Sequence, residues 1–418
     1  MDESNARMRG FAEYTLVNDA LNRIISRIKR LEPETIPVTE SLGRIIYEDI
    51  YSPRNIPHFD RSAMDGYAVI AQDTFGASQH NPIKLKVVGE VTVGRPPNIK
   101  VSRGWAAQIA TGAPIPPGAD AVVMVEYTKR INDEVEVYSP VTPGQNISRV
   151  GEDVKMGQKI ISSGKQVRPQ EEAMLLQCGI TEVKVAKKPQ VAIVSTGSEL
   201  VDIHTTPDVG KVVCTNSYTL ASLVRVYGGE PKILGIYPDE PEKLEKAIDE
   251  VLKYDVGVFS GGTSVGKYDY TPDLLKKRGE LIFHGVAMKP GSPTAAAFLN
   301  GKPIFSLPGY PVSTMIAFIV FVAPTIRKML GAEKLDPRIF VEAKMSRKVA
   351  STLGRRDFVR VKIEETREGV LAVPIRVGGS GVISSMVNAD GIVEIPENVE
   401  GINEGEIVRV ALFPHIVA

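Results

Sequence analysis

The feature that most constrains the fold is an alternation of short apolar runs and longer helical stretches, which begins near Gln190. The apolar runs that fit buried strands are Val191–Val194, Ile233–Ile236, Val256–Phe259 and Ile304–Leu307. The stretches with helical periodicity lie near Ser217–Val226, Pro241–Leu252 and Ser313–Met329. Strands that alternate with helices in this way predict right-handed βαβ units and a parallel sheet.

A glycine-rich turn follows the third of these strands. The segment Asp255–Asp273 reads DVGVFSGGTSVGKYDYTPD, which predicts a strand, a turn and a helix that begins near Thr271. Ligands gather at the carboxyl ends of parallel strands, where small residues let backbone N–H groups approach an anion. Asp269 could hold a divalent metal that such a ligand would share. The turn residues that could bind the anion are Gly261, Gly262, Thr263, Ser264, Gly266 and Lys267.

Two other interpretations of this turn were weighed. The spacing of Gly261, Gly266 and Lys267 matches the P-loop of nucleoside triphosphatases, but Tyr268 stands where the motif needs a serine or threonine for Mg²⁺. A P-loop hydrolase is therefore disfavoured. A tight turn that binds no ligand is the other alternative for an isolated Gly-Gly pair.

Loops after other apolar segments should meet this turn at the same edge of the sheet. They are STGSEL, MKPGSP and LPGYPVS. Their residues that could contact a ligand are Ser195, Thr196, Gly197, Glu199, Lys289, Pro308 and Gly309. Their hydroxyl and charged groups could share one cleft, although a structural turn is an equally good interpretation for any single residue.

The composition narrows the class of protein. With 418 residues the chain is too long for one compact core, so about two to four domains are expected. Its 50 Lys and Arg residues balance 50 Asp and Glu residues, which gives no indication of a nucleic-acid partner. Its two cysteines form no CxxC pair, so free thiols are expected. The start lacks a signal-peptide pattern and Met315–Ile326 is too short to span a bilayer, which favours a soluble, cytoplasmic protein without a membrane partner.

The segments on either side of the α/β region follow other patterns. Asn18 could cap an amphipathic helix whose apolar face extends from Leu21 to Leu31. Mostly β segments follow, with Asp65 beside a predicted turn and Thr111 in a stiff, proline-rich loop. After Gly331 the alternation fits a small antiparallel barrel or sandwich of roughly 80 to 90 residues. There, GRRDFVR and GGSGVISS place arginines and a glycine-serine loop where an anion could bind.

The chain resembles the MoeA family of molybdopterin molybdenumtransferases, which includes the E domain of gephyrin. Eight motifs carry the resemblance in order: SAMDGYAV, TGAPIPPGADAVV, RVGED, STGSEL, GGTSVGKYDYTPD, MKPGSP, LPGYPVS and GSGVISS. The resemblance covers essentially the whole chain. It implies the last step of molybdenum-cofactor synthesis, in which adenylylated molybdopterin and molybdate or tungstate give the metal-loaded cofactor and AMP, with a divalent cation such as Mg²⁺.

The resemblance also implies a multidomain architecture of α/β and β units. We expect a three-layer α/β domain with a parallel sheet, like that of molybdopterin adenylyltransferase, at residues 1–35 with 188–330. A mixed linker domain is expected at 36–53 with 150–187, an inserted mostly β domain at 54–149, and a C-terminal small β-barrel at 331–418. A homodimer with its active site at the subunit interface is implied. Molybdopterin adenylyltransferase and acceptor apoenzymes are implied partners.

The family's functional residues carry over by motif. The acidic positions are Asp65, Asp153, Glu199 and Asp269, of which Asp269 and Glu199 are expected to hold the metal. The hydroxyl and basic positions are Thr111, Arg149, Lys289, Arg356 and Ser380, with Arg355 adjoining Arg356. Asp65, Thr111, Glu199, Asp269 and Lys289 are the implied catalytic residues, and the others are implied to bind the substrate.

Two positions depart from the family's usual pattern. Ser292 stands in MKPGSP where the family usually has a lysine, and Tyr310 stands in LPGYPVS where it usually has an asparagine. Both lie in the predicted cleft, so they bear on the choice between molybdate and tungstate. A scaffold that binds partner peptides without catalysis, like gephyrin's related domain, is the alternative function. A scaffold would not need Asp65, Glu199 and Asp269 together, and all three are present.

Overall fold

The structure, a computed structural model, describes residues 14–261, 270–367, 369–375 and 379–414. In that part of the chain, three six-stranded sheets carry most of the extended backbone, and five two-stranded pairs accompany them. The predicted ligand residues that fall outside the described part are Gly262, Thr263, Ser264, Gly266, Lys267 and Asp269.

The first six-stranded sheet, here called the central sheet, contains the four strands that the alternation predicts. In spatial order its strands are Glu230–Tyr237, Gln190–Thr196, Val256–Ser260, Lys302–Leu307, Ala295–Leu299 and Glu280–His284. The first four are parallel to one another, as predicted. The last two are antiparallel to their neighbours, so the sheet is mixed at one edge.

The antiparallel edge has a local cause at Asn300-Gly301. Both residues have positive φ angles, 50° and 76°. A two-residue Asn-Gly connection of this kind is the type I′ turn that joins two antiparallel strands. It turns Ala295–Leu299 directly back onto Lys302–Leu307. Asn300-Gly301 is visible in the sequence, whereas the strand–helix alternation alone predicts only the parallel strands.

Helices cover both faces of the central sheet and give the predicted three-layer arrangement. One face packs against Val17–Ile25, Asn216–Val226 and the long helix Pro311–Met329. The other face packs against Pro241–Val251 and Thr271–Arg278. Alternate residues of the three inner parallel strands enter the two cores, which explains the continuous apolar runs Val191–Val194, Val256–Phe259 and Ile304–Leu307.

The helix Pro311–Met329 is long and apolar enough, by length and composition, to cross a membrane. However, 83% of its most apolar window is buried inside the protein. It consists of the α-helical turns Pro311–Ala317 and Ala323–Met329 on either side of a π-helical segment, Phe318–Val322. This helix is therefore buried in the protein core, as predicted for the apolar segment Met315–Ile326.

The first described helix is shorter than predicted. It begins at Val17, so Asn18 lies within the helix and does not cap it, and it ends at Ile25 rather than near Leu31. After Ile25 the N–H groups of Arg27 and Ile28 bond the carbonyls three residues back, and the Leu31 N–H then donates to the Met329 carbonyl, 2.8 Å away, at the end of the core helix. The guanidinium of Arg30 then lies 3.9 Å from the ring centre of Tyr47 instead of facing solvent.

Segments distant in sequence form a mixed linker unit. Pro33–Pro37 pairs with Glu182–Ala186, and Ile50–Tyr51 pairs with Lys159–Ile161, both antiparallel. The helix Pro169–Gln177 contributes Leu175 to the same apolar core. The pairing of an early with a late segment is the arrangement expected for the predicted linker, while its boundaries stay predictions.

The second six-stranded sheet, here called the inserted sheet, lies between these linker segments in sequence. Its strands, in spatial order, are Ala121–Met124, Gly66–Val69, Trp105–Ile109, Ile83–Val91, Glu134–Val137 and Thr128–Ile131. Apolar side chains pack on both of its faces. The short pair Arg61–Ser62 and Ile147–Ser148 closes one end of the insertion.

The C-terminal strands close into a five-stranded barrel. In order around it they are Arg356–Thr366, Gly369–Pro374, Phe340–Met345, Ile407–Leu412 and Gly391–Ile395, which pairs again with the first. The predicted barrel is present, with one parallel pairing, between Phe340–Met345 and Gly369–Pro374.

Short elements near the barrel are Val349–Ala350 paired with Gly401–Ile402, and the helix Ser384–Val387. A sixth strand, Met288–Lys289, adds in parallel to Arg356 and Asp357 and joins the central domain to the barrel.

Candidate active site

A cleft of about 1390 Å³ lies where the carboxyl edge of the central sheet faces the barrel. Thr196 and Ser260 end two parallel strands in its wall, and Pro308 follows a third. This is the edge at which open α/β sheets bind ligands. The predicted site residues that line the cleft are Ser195, Thr196, Glu199, Lys289, Ser292, Pro308, Gly309 and Ser380.

Positive side chains outnumber negative ones among the described residues of the cleft wall. The basic residues are Lys289, Arg347, Lys348, Arg355 and Arg360, and the acidic residues are Glu199 and Asp357. A concave surface lined by one sign of charge concentrates ligands of the opposite sign. The chain is neutral as a whole, so this local excess points to an anionic ligand of small size.

Arg360 is a cleft residue that the sequence analysis did not select, although it ends the motif GRRDFVR. Its side chain is almost fully buried, with 3% of the residue exposed. Its Nη1 donates to the Phe358 carbonyl at 3.3 Å, whereas its Nε and Nη2 have no hydrogen-bond partner in the described part of the chain. Burial lowers the pKa of this guanidinium. A desolvated cation with unused donors is costly unless an anion binds it.

The signal that could have identified Arg360 is its place on the strand. It lies two residues after the buried Phe358, and residues two apart share one side of a strand. An arginine at an inward position needs a partner. Arg356, which was assigned from the motif, does not line the described cleft. Its guanidinium lies 3.2 Å from both Glu397 and Asn18.

Arg355 and Asp357 form the barrel side of the cleft next to Lys289. Asp357 is buried, and its Oδ1 lies 3.4 Å from the Nε of Arg355. Arg355 also donates to Thr352 at 3.2 Å. Lys289 is exposed and makes no ion pair with a described residue, so its ammonium is open to a ligand.

Asn216 fixes three segments of the cleft wall relative to one another. Its Nδ2 donates to the Ser260 hydroxyl at 2.8 Å and to the Gly309 carbonyl at 2.7 Å, and lies 3.3 Å from the Thr314 hydroxyl. A neighbouring hydroxyl pair, Ser195 and Ser217, is buried at an Oγ–Oγ distance of 2.6 Å. Side-chain hydrogen bonds of Asn216 thus hold the strand end, the glycine loop and the following helix together.

Gly261 has a structural reason to be glycine. Its φ is 110°, and a Cβ at this position would lie 2.2 Å from the Thr196 carbonyl oxygen. No other residue fits without moving the strand end. The Thr196 hydroxyl is buried and has no hydrogen-bond partner among the described residues. The first glycine of the turn therefore allows two strand ends to approach closely.

Glu199 is the described half of the predicted metal site. It is exposed in the cleft, and its carboxylate oxygens would lie within 2.6 to 2.8 Å of a Cβ at Gly197. Glycine at 197 therefore leaves room for this carboxylate. The described residues contain no group of three or more His, Cys, Asp and Glu side chains that could hold a metal ion. Asp269, the other predicted ligand, lies outside them.

Three family models match consecutive parts of the chain. They are described as "MoeA N-terminal region (domain I and II)" for residues 15–179, "Probable molybdopterin binding domain" for 192–328, and "MoeA C-terminal region (domain IV)" for 342–413. The chain belongs to the MoeA family. The cleft lies between the second and third of these matched regions.

Relatives match over nearly their full length. A Methanocaldococcus jannaschii protein named for molybdopterin biosynthesis is 40% identical over 412 residues, which cover 95% of this chain and 96% of that protein. A molybdopterin molybdenumtransferase of Staphylococcus aureus is 35% identical over 401 residues, which cover 95% of both chains. A crystal structure of the molybdopterin biosynthesis MoeA protein of Pyrococcus horikoshii has a TM-score of 0.85, at 38% identity over 96% of this chain and 100% of that chain.

Four further MoeA motif residues lie outside the cleft: Asp65, Thr111 and Arg149 on the insertion, and Asp153 just after it in the predicted linker. The Thr111 N–H donates to Asp65 Oδ1 at 2.7 Å, and this bond lowers the pKa of the Asp65 carboxyl. Both residues are exposed. Arg149 forms an ion pair with Asp60 at 2.8 Å. Asp153 is exposed close by in the chain.

The backbone brings these insertion residues together in one loop cluster. The Ser62 N–H bonds the Ala113 carbonyl, and the Ala63 N–H bonds the Asn146 carbonyl, each at 2.9 Å. Asp65 and Thr111 therefore lie near the loop of Arg149. None of Asp65, Thr111, Arg149 and Asp153 is among the residues that line the cleft. The described chain thus presents two separate sets of MoeA motif residues.

Proposed function

We propose that the cleft binds adenylylated molybdopterin together with molybdate or tungstate, and that the products are the metal-loaded cofactor and AMP. As a MoeA family member, the chain is a transferase of molybdenum-cofactor biosynthesis that acts in metal insertion. The observation that supports the site most strongly is Arg360, a buried guanidinium with two unused donor atoms in the cleft wall. Molybdate and the pyrophosphate linkage of the substrate are both anions of the kind that such a group binds.

Each basic group would have a distinct part in binding. Arg360 would hold an oxyanion at the buried end of the cleft, where solvent screens it least. Lys289 and Arg355 would hold the more exposed phosphate groups as the adenylate bond breaks and AMP leaves. The Thr196 hydroxyl, buried and without a partner among described residues, would bond an oxygen of the same ligand. These groups bind and orient the substrates, which lowers the entropic part of the barrier.

A Mg²⁺ ion fits what is described of its expected site. Glu199 offers a carboxylate that forms no hydrogen bond with a described side chain, and carboxylates are preferred Mg²⁺ ligands. With Asp269, it would hold the ion beside the substrate phosphates. When bound, the ion would supply Lewis-acid polarisation of a phosphoryl oxygen.

We further propose that Asp65, Thr111, Arg149 and Asp153 act at the cleft of a partner subunit in a homodimer. The separation of these residues from the cleft supports this arrangement. In a two-fold dimer, the loop cluster of each subunit would contact the cleft of the other, which gives two equivalent sites. The substrate would come from a molybdopterin adenylyltransferase, and the product would pass to acceptor apoenzymes. We place these steps in the cytoplasm, without nucleic-acid or membrane partners.

The test is AMP release from adenylylated molybdopterin, measured with molybdate and with tungstate side by side. The full-length protein should release AMP in a Mg²⁺-dependent manner, and Asp269→Asn should remove the metal-dependent turnover while fold and dimer stay intact. Near-normal turnover of Asp269→Asn at ordinary Mg²⁺ would contradict its metal role. A chain that binds partner peptides but never releases AMP would instead be a scaffold.

A further inference from the structure

Tyr310 is a large aromatic side chain that the fold leaves exposed inside the cleft. It lines the cleft wall, and 65% of the residue is accessible. An exposed ring contributes little to stability, because it buries little apolar area. Its position inside a basic cleft, rather than on the outer surface, therefore calls for another explanation.

The backbone of Tyr310 is held firmly although its ring is open. Its carbonyl accepts hydrogen bonds from the Thr314 N–H at 2.9 Å and the Thr314 hydroxyl at 3.0 Å. The preceding carbonyl, of Gly309, accepts from Asn216 at 2.7 Å. The next N–H, of Val312, donates to the Ser380 carbonyl at 3.2 Å. A ring on so constrained a backbone loses little further freedom when a ligand packs on it.

Gly381 gives the ring its place against the barrel loop. A Cβ at Gly381 would lie 3.3 Å from Cδ1 and 3.5 Å from Cε1 of Tyr310, two atoms of the same ring edge. One edge of the ring thus faces the 379–381 loop. The hydroxyl of Tyr310 makes no hydrogen bond with a described residue, so no hydrogen bond within the described chain explains the position of the ring.

We propose that Tyr310 is a stacking platform for a planar heterocycle of the ligand, and that it helps to select the ligand of this cleft. The inference rests on the proposed function, because the adenylylated substrate carries two such heterocycles, a pterin and an adenine, joined by anionic groups. Stacking on an exposed tyrosine would orient one ring while the basic residues Lys289, Arg355 and Arg360 hold the anionic part. Asparagine, the usual residue of the family at this position, has no aromatic face.

The test separates ring binding from anion binding with three probes for the full-length protein: AMP, neopterin, and ribose 5-phosphate, which carries the sugar phosphate of AMP without its base. Binding is measured by titration calorimetry for the wild type, Tyr310→Phe, Tyr310→Asn and Tyr310→Ala. Tyr51→Asn is the matched control, because Tyr51 is similarly exposed and does not line the cleft. Thermal melts verify that each variant is folded.

We expect Tyr310→Phe and Tyr51→Asn to bind all probes within about twofold of the wild type. Tyr310→Asn and Tyr310→Ala should lose roughly fivefold or more in affinity for AMP or for neopterin, with ribose 5-phosphate unchanged. Loss for AMP alone identifies adenine as the stacked ring, and loss for neopterin alone identifies the pterin.

Three results would overturn the platform role. The first is equal affinities of all four proteins for both heterocycles. The second is an equal loss for ribose 5-phosphate, which would mean that Tyr310 merely positions the anion-binding loops. The third is a wild type that binds neither heterocycle more tightly than ribose 5-phosphate. If the wild type still releases AMP in turnover, only the platform fails; if it neither binds nor releases AMP, the proposed function fails with it.

Discussion

At the scale of single residues, the guanidinium of Arg360 combines a cost in stability with a use in binding. Its Nε and Nη2 are buried without a partner among described residues. Replacing a buried, poorly paired cation by an apolar side chain of similar length is often neutral or stabilising. We expect Arg360→Met to keep or raise the melting temperature while it weakens molybdate binding about tenfold or more. Thermal melts and molybdate titrations check the two effects, and a lower melting temperature with unchanged binding would contradict both.

Ser292 tests the same anion preference at a second position of the cleft wall. It lines the cleft, where the family usually has a lysine, and its own carbonyl accepts from the Val286 N–H at 2.8 Å. Ser292→Lys should tighten oxyanion binding by on the order of 1.5 to 3 kcal/mol if the new ammonium reaches the ligand. The apparent affinities for molybdate and tungstate in AMP release measure this. Ser292→Gln adds reach without charge and should change neither. Unchanged affinities in both variants would place residue 292 outside the binding site.

Site residues could be predicted from the sequence where a motif follows the end of a strand. They could not be predicted where their role depends on how deeply the side chain is buried. Ser195, Thr196 and Lys289 were predicted from their positions after apolar segments, and the structure brings them to one cleft. Arg355, Arg356 and Arg360 share one motif, and the two-residue spacing from Phe358 to Arg360 indicates a shared side of the strand but not how deeply the guanidinium is buried. That depends on what packs against this side of the strand, where Phe358 joins the core of the central sheet, and such packing is a long-range property.

At the scale of elements, the helix Pro169–Gln177 gives the linker a pH-dependent cap. Glu171 accepts from the Arg168 N–H at 3.1 Å and from its guanidinium at 2.6 and 2.9 Å. The Arg168 side chain is the main cause that lowers the pKa of Glu171 to about 2, and the backbone N–H adds to it. A folded pKa below the unfolded one stabilises the fold above about pH 4.5, and this stabilisation is lost as the pH falls toward 2.

We therefore expect Glu171→Gln to lower the melting temperature at neutral pH, and the gap to the wild type to narrow as the pH falls through 4.5 toward 2, so that it is already smaller at pH 3. The cap should contribute on the order of 1 kcal/mol, because Arg168 is more than half exposed and solvent screens the pair. Melts between pH 7 and pH 3 measure the difference. Glu172→Gln makes the same charge change on the same helix and should show no such convergence. A gap between Glu171→Gln and wild type that stays constant over this range would contradict the cap.

Element prediction was accurate where periodicity is strong. The four parallel strands and the helices that follow them were predicted within a few residues, since the inner strands are buried on both faces and each helix buries one consistent face. The N-terminal helix was predicted too long, because its apolar period continues past Ile25, whereas the backbone hydrogen bonds of Arg27 and Ile28 have already left the α-helical pattern. The hydrophobic period alone does not show at which residue a helix ends, because tertiary contacts can override local preference.

At the scale of the whole molecule, units are formed by segments far apart in sequence. Pro33–Pro37 pairs with Glu182–Ala186, and Met288–Lys289 pairs with Arg356 and Asp357. Neither pairing was predicted from sequence patterns, and the resemblance to the MoeA family implied only that residues 36–53 and 150–187 share a linker domain. The consequence for function is geometric, because the cleft is built from the central domain and the barrel, whereas the insertion keeps Asp65 and Thr111 apart from it.

This separation leads to a prediction on the dimer. If each site joins Asp65 of one subunit to Lys289 of the other, Asp65→Asn and Lys289→Ala proteins should each be inactive but complement after subunit exchange. Random mixing gives half heterodimers with one intact and one doubly damaged site, so AMP release should return to roughly a quarter of wild type. Mixing the double variant with wild type is the control: a shared site leaves roughly a quarter of wild-type activity, whereas a site within one chain leaves roughly half. Verified heterodimers that stay as inactive as both parents would place the whole site in a single chain.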